Sequence, residues 1–502
     1  MDILSYLGLG FTVALQPINL FYCFIGVLIG TLIGVLPGIG PVAAMSLLMP
    51  ITFYTTPEAA IIMMAGIYYG SMYGGSTTAI LVNIPGESAS VVTTLDGYQM
   101  ARQGRAGAAL GMAAIGSFLA GTVAVVALML VAPAMASVAV RFGPAEYFSL
   151  MVLGLAILSY LTHGSILKSL IMACLGVALG LVGIDAITAM PRLTFDSMLL
   201  IDGVGIVPMV MGLFGIGEIL LNLEQGIQRS VATGKIKGLL PTKADWKASA
   251  GPLARGSVLG FLLGILPGGG AVISSFLSYA IEKRVSKTPE RFGKGAIEGV
   301  AGPEAANNAA AGGAFIPLLT LGIPPNVVMA LLLGAFIIHN VEPGPLLMTQ
   351  HPEVFWGVVA SMYIGNAMLL VLNLPLIGMW VQVLRVPYRI LFPLILLFCV
   401  VGVYSVNNAV FDLYVMIAFG LLGYLMKKFG YEPAPLVLAF VLGPMLENNL
   451  RKALIIAQGD FSTFITRPIS AVCLLLAAAL LFSAVLPKLR QKREQIALDE
   501  TE

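Results

Sequence analysis

Gly26-Val-Leu-Ile-Gly30-Thr-Leu-Ile-Gly34-Val-Leu-Pro37-Gly38-Ile-Gly40-Pro41 returns 230 residues later as Gly256-Ser-Val-Leu-Gly260-Phe-Leu-Leu-Gly264-Ile-Leu-Pro267-Gly268-Gly269-Gly270-Ala271. Eight of the sixteen positions are identical. Each copy is an apolar run with glycine at every fourth position, which puts the glycines on one helix face, and each is stopped by Leu-Pro-Gly. Inside a membrane a glycine stripe lets a second helix approach to backbone contact. A broken helix of this kind, present once per half of an apolar chain, is the pattern of a transporter built from repeats.

The whole chain supports a membrane setting. It has 502 residues, of which 58% are hydrophobic and 10% charged, with a mean hydropathy of +0.95. Soluble domains carry about 25% charged residues. At about 20 apolar residues per crossing, there is room for roughly ten to twelve spans. The fold class expected is an all-α polytopic membrane protein of two inverted-topology repeats, each with a re-entrant hairpin and a broken helix. No polar stretch is long enough for a folded soluble domain; the longest runs from about 224 to 250. A net charge of +2 gives no footprint for nucleic acid, so the surrounding partner is the lipid bilayer. Cys23, Cys174, Cys399 and Cys473 stand singly in apolar runs, without metal or disulfide spacing, and no cofactor is expected. The first seventeen residues lack Lys and Arg and so lack the basic start of a secretory leader.

Lys and Arg mark the cytoplasmic side. Residues 1–101 contain none; clusters then occur at 229–255 and 283–294, at Lys427 and Lys428, and in the tail from Lys488. The second glycine-rich copy lies between two basic clusters, and Arg255 and Glu282 are only 27 residues apart. Arms of about 11 to 16 residues at 1.5 Å each are too short to cross about 30 Å of hydrocarbon. This segment is read as a hairpin entering from the cytoplasm. The first copy, without flanking basic residues, is read as entering from outside, with five intervening spans near 58–95, 107–137, 144–162, 168–187 and 203–222. Arg141, Arg451, Lys452 and Arg467 fall on the outer side in this threading. The division is an N-terminal repeat 1–222 (hairpin 18–55, broken helix 58–95) and a basic cytoplasmic loop 223–250. A C-terminal repeat 251–487 follows (hairpin 251–282, broken helix 302–340), then a cytoplasmic tail 488–502.

A second element also repeats. Gly74-Gly75 precedes Asn83-Ile84-Pro85-Gly86, and Gly312-Gly313 precedes Gly322-Ile323-Pro324-Pro325-Asn326; aligned on both motifs, the second copy carries one inserted residue. Proline breaks each helix at Ile-Pro. Non-helical backbone at membrane depth survives only where protein or a water-filled cavity covers it. Four such breaks are expected to converge on one site where helix N-termini face an anion and exposed carbonyls face a cation. Residues 1–101 and 295–384 offer no Lys or Arg there, only glycine amides and short oxygen donors. The substrate-binding candidates are Gly38, Gly40, Ser76, Thr77, Asn83, Pro85, Gly86, Gly268, Gly269, Gly270, Ser274, Pro324 and Asn326. Asn83, Asn307, Asn308 and Glu304 are the candidates for a coupling cation, Na⁺ ahead of H⁺, because desolvating a multivalent anion demands a companion cation. Gly26, Gly30 and Gly34 and their copies are read as packing glycines, and His339 and His351 as loop residues.

Several motifs together resemble the large membrane subunit of tripartite tricarboxylate transporters, the TctA family. They are Gly34-Val-Leu-Pro-Gly-Ile-Gly40, Asn83-Ile-Pro-Gly86, Leu95-Asp-Gly-Tyr98 with Met100-Ala-Arg-Gln-Gly104, Phe142-Gly-Pro-Ala-Glu-Tyr147, Phe292-Gly-Lys-Gly295 and Ala301-Gly-Pro-Glu-Ala-Ala-Asn-Asn308. The resemblance implies a multi-pass permease of the bacterial inner membrane. Its partners would be a small TctB-like membrane subunit and a TctC-like periplasmic solute-binding protein. It implies ion-driven symport, with Na⁺ the expected coupling ion, of a tricarboxylate or other small carboxylate. The family's second Ile-Pro is followed by a small residue; here Pro325 removes an N–H donor, which points to a smaller or less charged carboxylate than citrate. An intramembrane enzyme would need a nucleophile with a base, or paired acids, at membrane depth. Three histidines and no such pair disfavour it, and a passive anion channel is the other alternative.

Overall fold

The structure, a computed structural model, describes residues 3–36, 40–161, 165–185, 187–225, 238–268, 270–384, 386 and 388–485. The described chain is a multi-pass bundle of helices. The departure from an all-α chain is a short antiparallel pair in one loop, Gly183–Ile184 against Pro191–Arg192. Among the described residues, six helices are long and apolar enough to cross a membrane: Pro17–Val35, Ala106–Ala139, Ile206–Glu224, Lys243–Ile265, Pro352–Asn373 and Val410–Lys428. Shorter apolar helices such as Ile166–Gly180 and Val327–Ile338 accompany them.

Both glycine-rich copies form hairpins. The first is Pro17–Val35 followed by Gly40–Thr52; the second is Lys243–Ile265 followed by Gly270–Val285. The first arm of the second hairpin has 23 residues, not the 11 to 16 expected. The sequence reading took Arg255 for the end of the arm. Arg255 instead clasps Glu282 of the return arm, with Nε donating to Oε1 at 2.9 Å, and the helix continues on the far side of this pair to a capping box at Thr242 and Asp245. Only the section between the ion pair and the tip has the expected length.

Each hairpin packs along the broken helix of its own half in the same way. The first broken helix is Pro57–Val82, the turn 83–87 and a helical stretch over 88–102. The second is Glu298–Gly313 with Phe315–Leu321, a turn at 322–326, and Val327–Ile338. A Cβ placed on Gly26, Gly30 or Gly34 would lie 2.4, 2.5 or 2.3 Å from the carbonyl oxygen of Met63, Ile67 or Ser71. One placed on Gly256, Gly260 or Gly264 would lie 2.4, 2.1 or 2.3 Å from that of Gly302, Ala306 or Ala310. The glycine stripes are therefore packing surfaces, as read from the sequence: only hydrogen fits between the two backbones.

These contacts correct the register of the second repeated element. Met63, Ile67 and Ser71 correspond to Gly302, Ala306 and Ala310 at a constant separation of 239 residues, and Gly74 then corresponds to Gly313. The same separation carries Asn83 onto Gly322, and both take a left-handed conformation at the helix end, with φ +60° and +69°. No residue is inserted. Pairing Gly74-Gly75 with Gly312-Gly313 was off by one, because either member of a Gly-Gly pair satisfies the pattern.

The broken helices are the centre of the molecule. Every residue from Ala59 to Val82 and from Gly299 to Gly313 is buried. Glycine, alanine, serine and threonine dominate them because neighbours press in on all sides. The two halves are also tied by Asp96, fully buried on the first broken helix. Its Oδ1 accepts the N–H groups of Gly295 and Ala296 at 2.7 and 2.8 Å, and its Oδ2 accepts the Tyr279 hydroxyl at 3.0 Å. Asp96 thus caps the start of the second broken helix, and Gly293 and Gly295 at φ +79° and +99° let the chain wrap around the carboxylate. The segment around Asp96 is itself helical, Thr94–Tyr98 running into Gln99–Arg102.

Of the basic residues that the threading left on the outer side, Arg451 and Arg467 pair with acids, as does Arg192 nearby. Arg451 bonds Asp185 at 2.5 Å, Arg192 bonds Glu447 at 2.7 and 2.9 Å, and Arg467 bonds Glu146 at 2.9 Å. At the opposite end Lys168 Nζ reaches the Phe429 carbonyl at 2.6 Å, Lys428 bonds Glu224 at 2.8 Å, and Lys427 bonds Glu218.

Candidate functional site

A cavity of about 920 Å³ opens where the helices break. The return arm of the first hairpin contributes Gly40, Pro41 and Val42. The first broken helix contributes Pro85, Gly86, Glu87, Ser88 and Val91; the second hairpin, Gly268, Ala271, Val272 and Ile273; the second broken helix, Asn326, Val327 and Val328. In each of these four elements these residues stand at or just before a helix start; Tyr68 and Met72, from the middle of Pro57–Val82, also line the cavity. The first N–H groups of a helix have no acceptor within it, and the aligned peptides leave partial positive charge there. Four helix starts at one cavity make a surface that attracts anions without a cationic side chain at its centre.

Local chemistry fixes these starts. Asn326 caps Val327–Ile338, with its Oδ1 accepting the Met329 N–H at 2.9 Å; the amide groups of Val327 and Val328 keep no intrahelical acceptor. Its Nδ2 reaches the Tyr68 hydroxyl at 3.4 Å. The residue equivalent to Asn326 in the first half is Glu87, whose Oε2 accepts the Ala89 N–H at 2.8 Å. The second hairpin tip is tied to the second break by the Gly268 N–H donating to the Pro325 carbonyl at 2.9 Å. Gly268 has φ +110°, a conformation that favours glycine. Gly86 is pinned as well: a Cβ there would lie 1.9 Å from the Gly34 carbonyl oxygen.

Of the residues singled out from the sequence, Gly40, Pro85, Gly86, Gly268 and Asn326 line this cavity. Gly38 and Gly269 lie outside the described residues. Gly270 is committed to its own hairpin, where a Cβ would sit 2.8 Å from the Cα of Gly264. Ser274 donates back to the Gly270 carbonyl within its helix, and Pro324 is buried behind the turn. Asn83 is exposed at the left-handed helix end.

Ser76 and Thr77 lie elsewhere, on a small cavity of about 10 Å³ shared with Tyr73, Ser117 and Asn373 and with the apolar Leu110, Ala113 and Ala114. Glu304 stands beside it, fully buried. Its Oε2 accepts Ser76 Oγ at 2.5 Å and Asn307 Nδ2 at 3.4 Å, and its Oε1 accepts the Thr93 hydroxyl. Asn308 Nδ2 donates to Ser117 Oγ at 2.7 Å and to Asn307 Oδ1 at 2.5 Å. Buried Asn373 Oδ1 has no hydrogen-bond partner among the described residues. Carboxylate, amide and hydroxyl oxygens of this kind suit a hard cation, and the cavity has the volume of about one water-sized occupant. The structure brings Glu304, Asn307 and Asn308 together; no hydrogen bond among the described residues joins Asn83 to them.

Among the cavity residues that the sequence reading did not single out as site residues are Glu87 and Lys427. Glu87 follows the Ile-Pro-Gly break and reads in sequence as an ordinary helix-capping acid. Lys427 was used as a marker of membrane side; it lies at the far end of the cavity with Glu218, Tyr431 and Glu432, and is engaged by Glu218. The expectation that no lysine approaches the cavity is corrected to that extent: the break region itself has none.

Comparison with known proteins agrees with this architecture. The model of the tripartite tricarboxylate transporter TctA family matches residues 20–438. An Agrobacterium vitis protein described as "Uncharacterized 52.8 kDa protein in TAR-I ttuC' 3'region" is 54% identical over 500 residues, 100% of both chains. A second from the same organism, "Uncharacterized protein in TAR-II ttuC' 3'region", is 56% identical over 241 residues, 48% of this chain and 100% of its own. No solved structure matches the chain. A family match over most of its length, on a multi-pass bundle with paired broken helices, establishes that the chain belongs to the tripartite tricarboxylate transporter TctA family.

Proposed function

We propose that this chain is the permease of a binding-protein-dependent system that takes up a small carboxylate across a bacterial inner membrane, driven by a cation gradient. The observation that carries the proposal is the convergence of four helix starts on one cavity that has no Lys or Arg at the breaks. The substrate carboxylate binds against the N–H groups near Gly40, Ser88, Ala271 and Val327, with Asn326, Gly86 and Gly268 shaping the floor. Each helix start is worth about 0.3–2 kcal/mol to an anion, less than the desolvation of a carboxylate. A co-transported Na⁺ supplies the difference at Glu304, Asn307 and Asn308, with Ser76, Thr93 and Ser117 adjoining.

The small membrane subunit and the periplasmic solute-binding protein of a tripartite system are the partners, the latter delivering substrate to the outer face. The cavity runs from the breaks toward Lys427 and Lys168, the side that the positive-inside rule assigns to the cytoplasm. On this reading the tail is cytoplasmic and the cavity opens inward. The two hairpin–broken-helix pairs, inverted relative to one another, are the parts that move between inward- and outward-facing states. Pro325 stands where Gly86 stands in the first half and gives its carbonyl to Gly268. The second break therefore offers one amide fewer, which suits a smaller or less charged acid than citrate.

The test is uptake by the purified complex in proteoliposomes, with labelled citrate and succinate as probes. Uphill accumulation that collapses when the Na⁺ gradient is dissipated supports the proposal. Downhill equilibration insensitive to any cation gradient refutes it in favour of a channel.

A further inference from the structure

Glu87 is an acid in a cavity built for an acid. Its Oε2 is held by the Ala89 N–H, and its Oε1 is shut off from solvent with no hydrogen-bond partner among the described residues. The side chain lies over Gly75, where a Cβ would come within 2.8 Å of Glu87 Cγ. Glu304, by contrast, receives hydrogen bonds on both oxygens. An anionic carboxylate with one oxygen bare, away from water, is costly unless a cation or proton neutralises it.

The groups around Glu87 do not supply a cation. Tyr68 comes from Pro57–Val82 and Glu304 from Glu298–Gly313, the latter also acidic. Across the cavity, Lys427 is engaged by Glu218, and Tyr431 and Glu432 complete the titratable lining. On Gly270–Val285, which packs on the 88–90 turn, the ionisable groups are directed elsewhere, Tyr279 to Asp96 and Glu282 to Arg255, while Lys283 and Arg284 are exposed in the last turn, at the end away from the hairpin tip. While the cavity is empty, the helix starts offset a charge on Glu87. A substrate carboxylate arriving at the same starts removes that compensation and adds a like charge.

Resting on the carboxylate-uptake reading above, we propose that Glu87 carries a co-transported proton: it is protonated when substrate occupies the cavity and releases that proton to the cytoplasm after substrate leaves. The step is a proton binding to Glu87 Oε1 from the entry side and dissociating to the exit side. No electron transfer and no other bond change is involved. This proton is additional to the Na⁺ at Glu304, and the two cations together offset more than one charge of the substrate.

Glu87→Gln tests it, because the amide mimics the protonated form and keeps an oxygen for the Ala89 cap. Proteoliposomes holding the complete complex are assayed at equal Na⁺ on both sides, with the membrane potential clamped at zero and labelled succinate or citrate as probe. With the interior one pH unit more alkaline, the unsubstituted complex should accumulate the probe about tenfold, the ratio that one proton per substrate allows. Glu87→Gln should still exchange internal for external probe yet reach a ratio near one. Tenfold accumulation by Glu87→Gln overturns the proposal. A second measurement does not depend on the variant folding: an internal pH dye should report proton entry with substrate in the unsubstituted complex, and its absence overturns the proposal as well. If the unsubstituted complex exchanges no carboxylate at all, the carboxylate-uptake reading itself fails, a result distinguishable from loss of proton coupling alone.

Discussion

Replacing Gly260 by alanine adds one methyl group at a place where none fits. The new Cβ would lie 2.1 Å from the Ala306 carbonyl oxygen and 2.7 Å from the Ala306 carbonyl carbon and Cα, all backbone atoms of the second broken helix. Carbon contacts settle at roughly 3.5 Å, so the two helices must part by about 1 Å. Overpacking of this kind costs about 1–3 kcal/mol. Alanine recovers roughly 0.5–1 kcal/mol of that through its better helix propensity. Gly8 is the control, since a Cβ there meets nothing within 4 Å in the helix Ile3–Ala14. Gly8→Ala should therefore be neutral or stabilising by up to about 1 kcal/mol, and the two substitutions should differ by about 1–3 kcal/mol. The displacement also reaches the site, because Gly260–Ile265 leads to the tip whose Gly268 N–H holds Pro325. Thermal unfolding of the purified complex in detergent, paired with uptake in proteoliposomes, reads both effects. Gly260→Ala with the stability and uptake of Gly8→Ala would refute the close packing of hairpin on broken helix.

Other perturbations follow from named contacts. Glu304→Ala leaves the donors of Ser76, Thr93 and Asn307 without their acceptor and should lower stability by about 2–4 kcal/mol, while Glu304→Gln should cost less yet abolish any thermal stabilisation by Na⁺; thermal shift with and without NaCl against KCl separates the two. Asp96→Ala removes the acceptor of Gly295, Ala296 and Tyr279 and should cost about 2–4 kcal/mol, Asp96→Asn less because one oxygen remains; limited proteolysis near residue 293 should report the loosened turn. Asp185, in the loop after Ile166–Gly180, has its carboxyl held well below the usual carboxylate range, first by the Thr188 N–H and further by Arg451. A carboxyl depressed on folding adds stability above its unfolded value of about 3.9 that is lost as pH falls through the folded value. The difference in melting temperature between Arg451→Ala and the unsubstituted protein should hold constant from pH 8 to pH 5 and shrink only under stronger acid; a difference that vanishes between pH 8 and 6 would contradict this pairing.

Much of the architecture was legible because glycine and proline carry backbone meaning. Glycine at every fourth position stated a close helix contact, and Leu-Pro-Gly and Ile-Pro stated breaks, before any partner was known. The partner's register was not legible: Gly74-Gly75 satisfies a glycine pattern in two ways, and only the backbone contacts of Thr31 with Gly74 and Phe261 with Gly313 select one. Arg255 misled on arm length because a long side chain can reach an acid on the neighbouring arm while its helix runs on. Glu304 stood out as an acid in an apolar stretch, whereas Glu87 and Lys427 looked like an ordinary helix cap and a terminal charge. Their place on the cavity depends on elements far apart in the chain. Ser76 and Ser274 show the complementary difficulty: a hydroxyl within a helix can face a site, a neighbouring carboxylate or its own backbone, and composition does not choose.

The central claim is that four helix starts from two halves of the chain face one carboxylate. The most direct measurement is the reactivity of single cysteines, introduced at Ser88 on the first broken helix and Val328 on the second, toward a membrane-impermeant maleimide in oriented vesicles. Both positions line the cavity, though 240 residues apart. Both should label from the same side, and both should be protected by the transported carboxylate at the same half-maximal concentration. Labelling from opposite sides under one condition, or protection of one position without the other, would contradict a shared anion site.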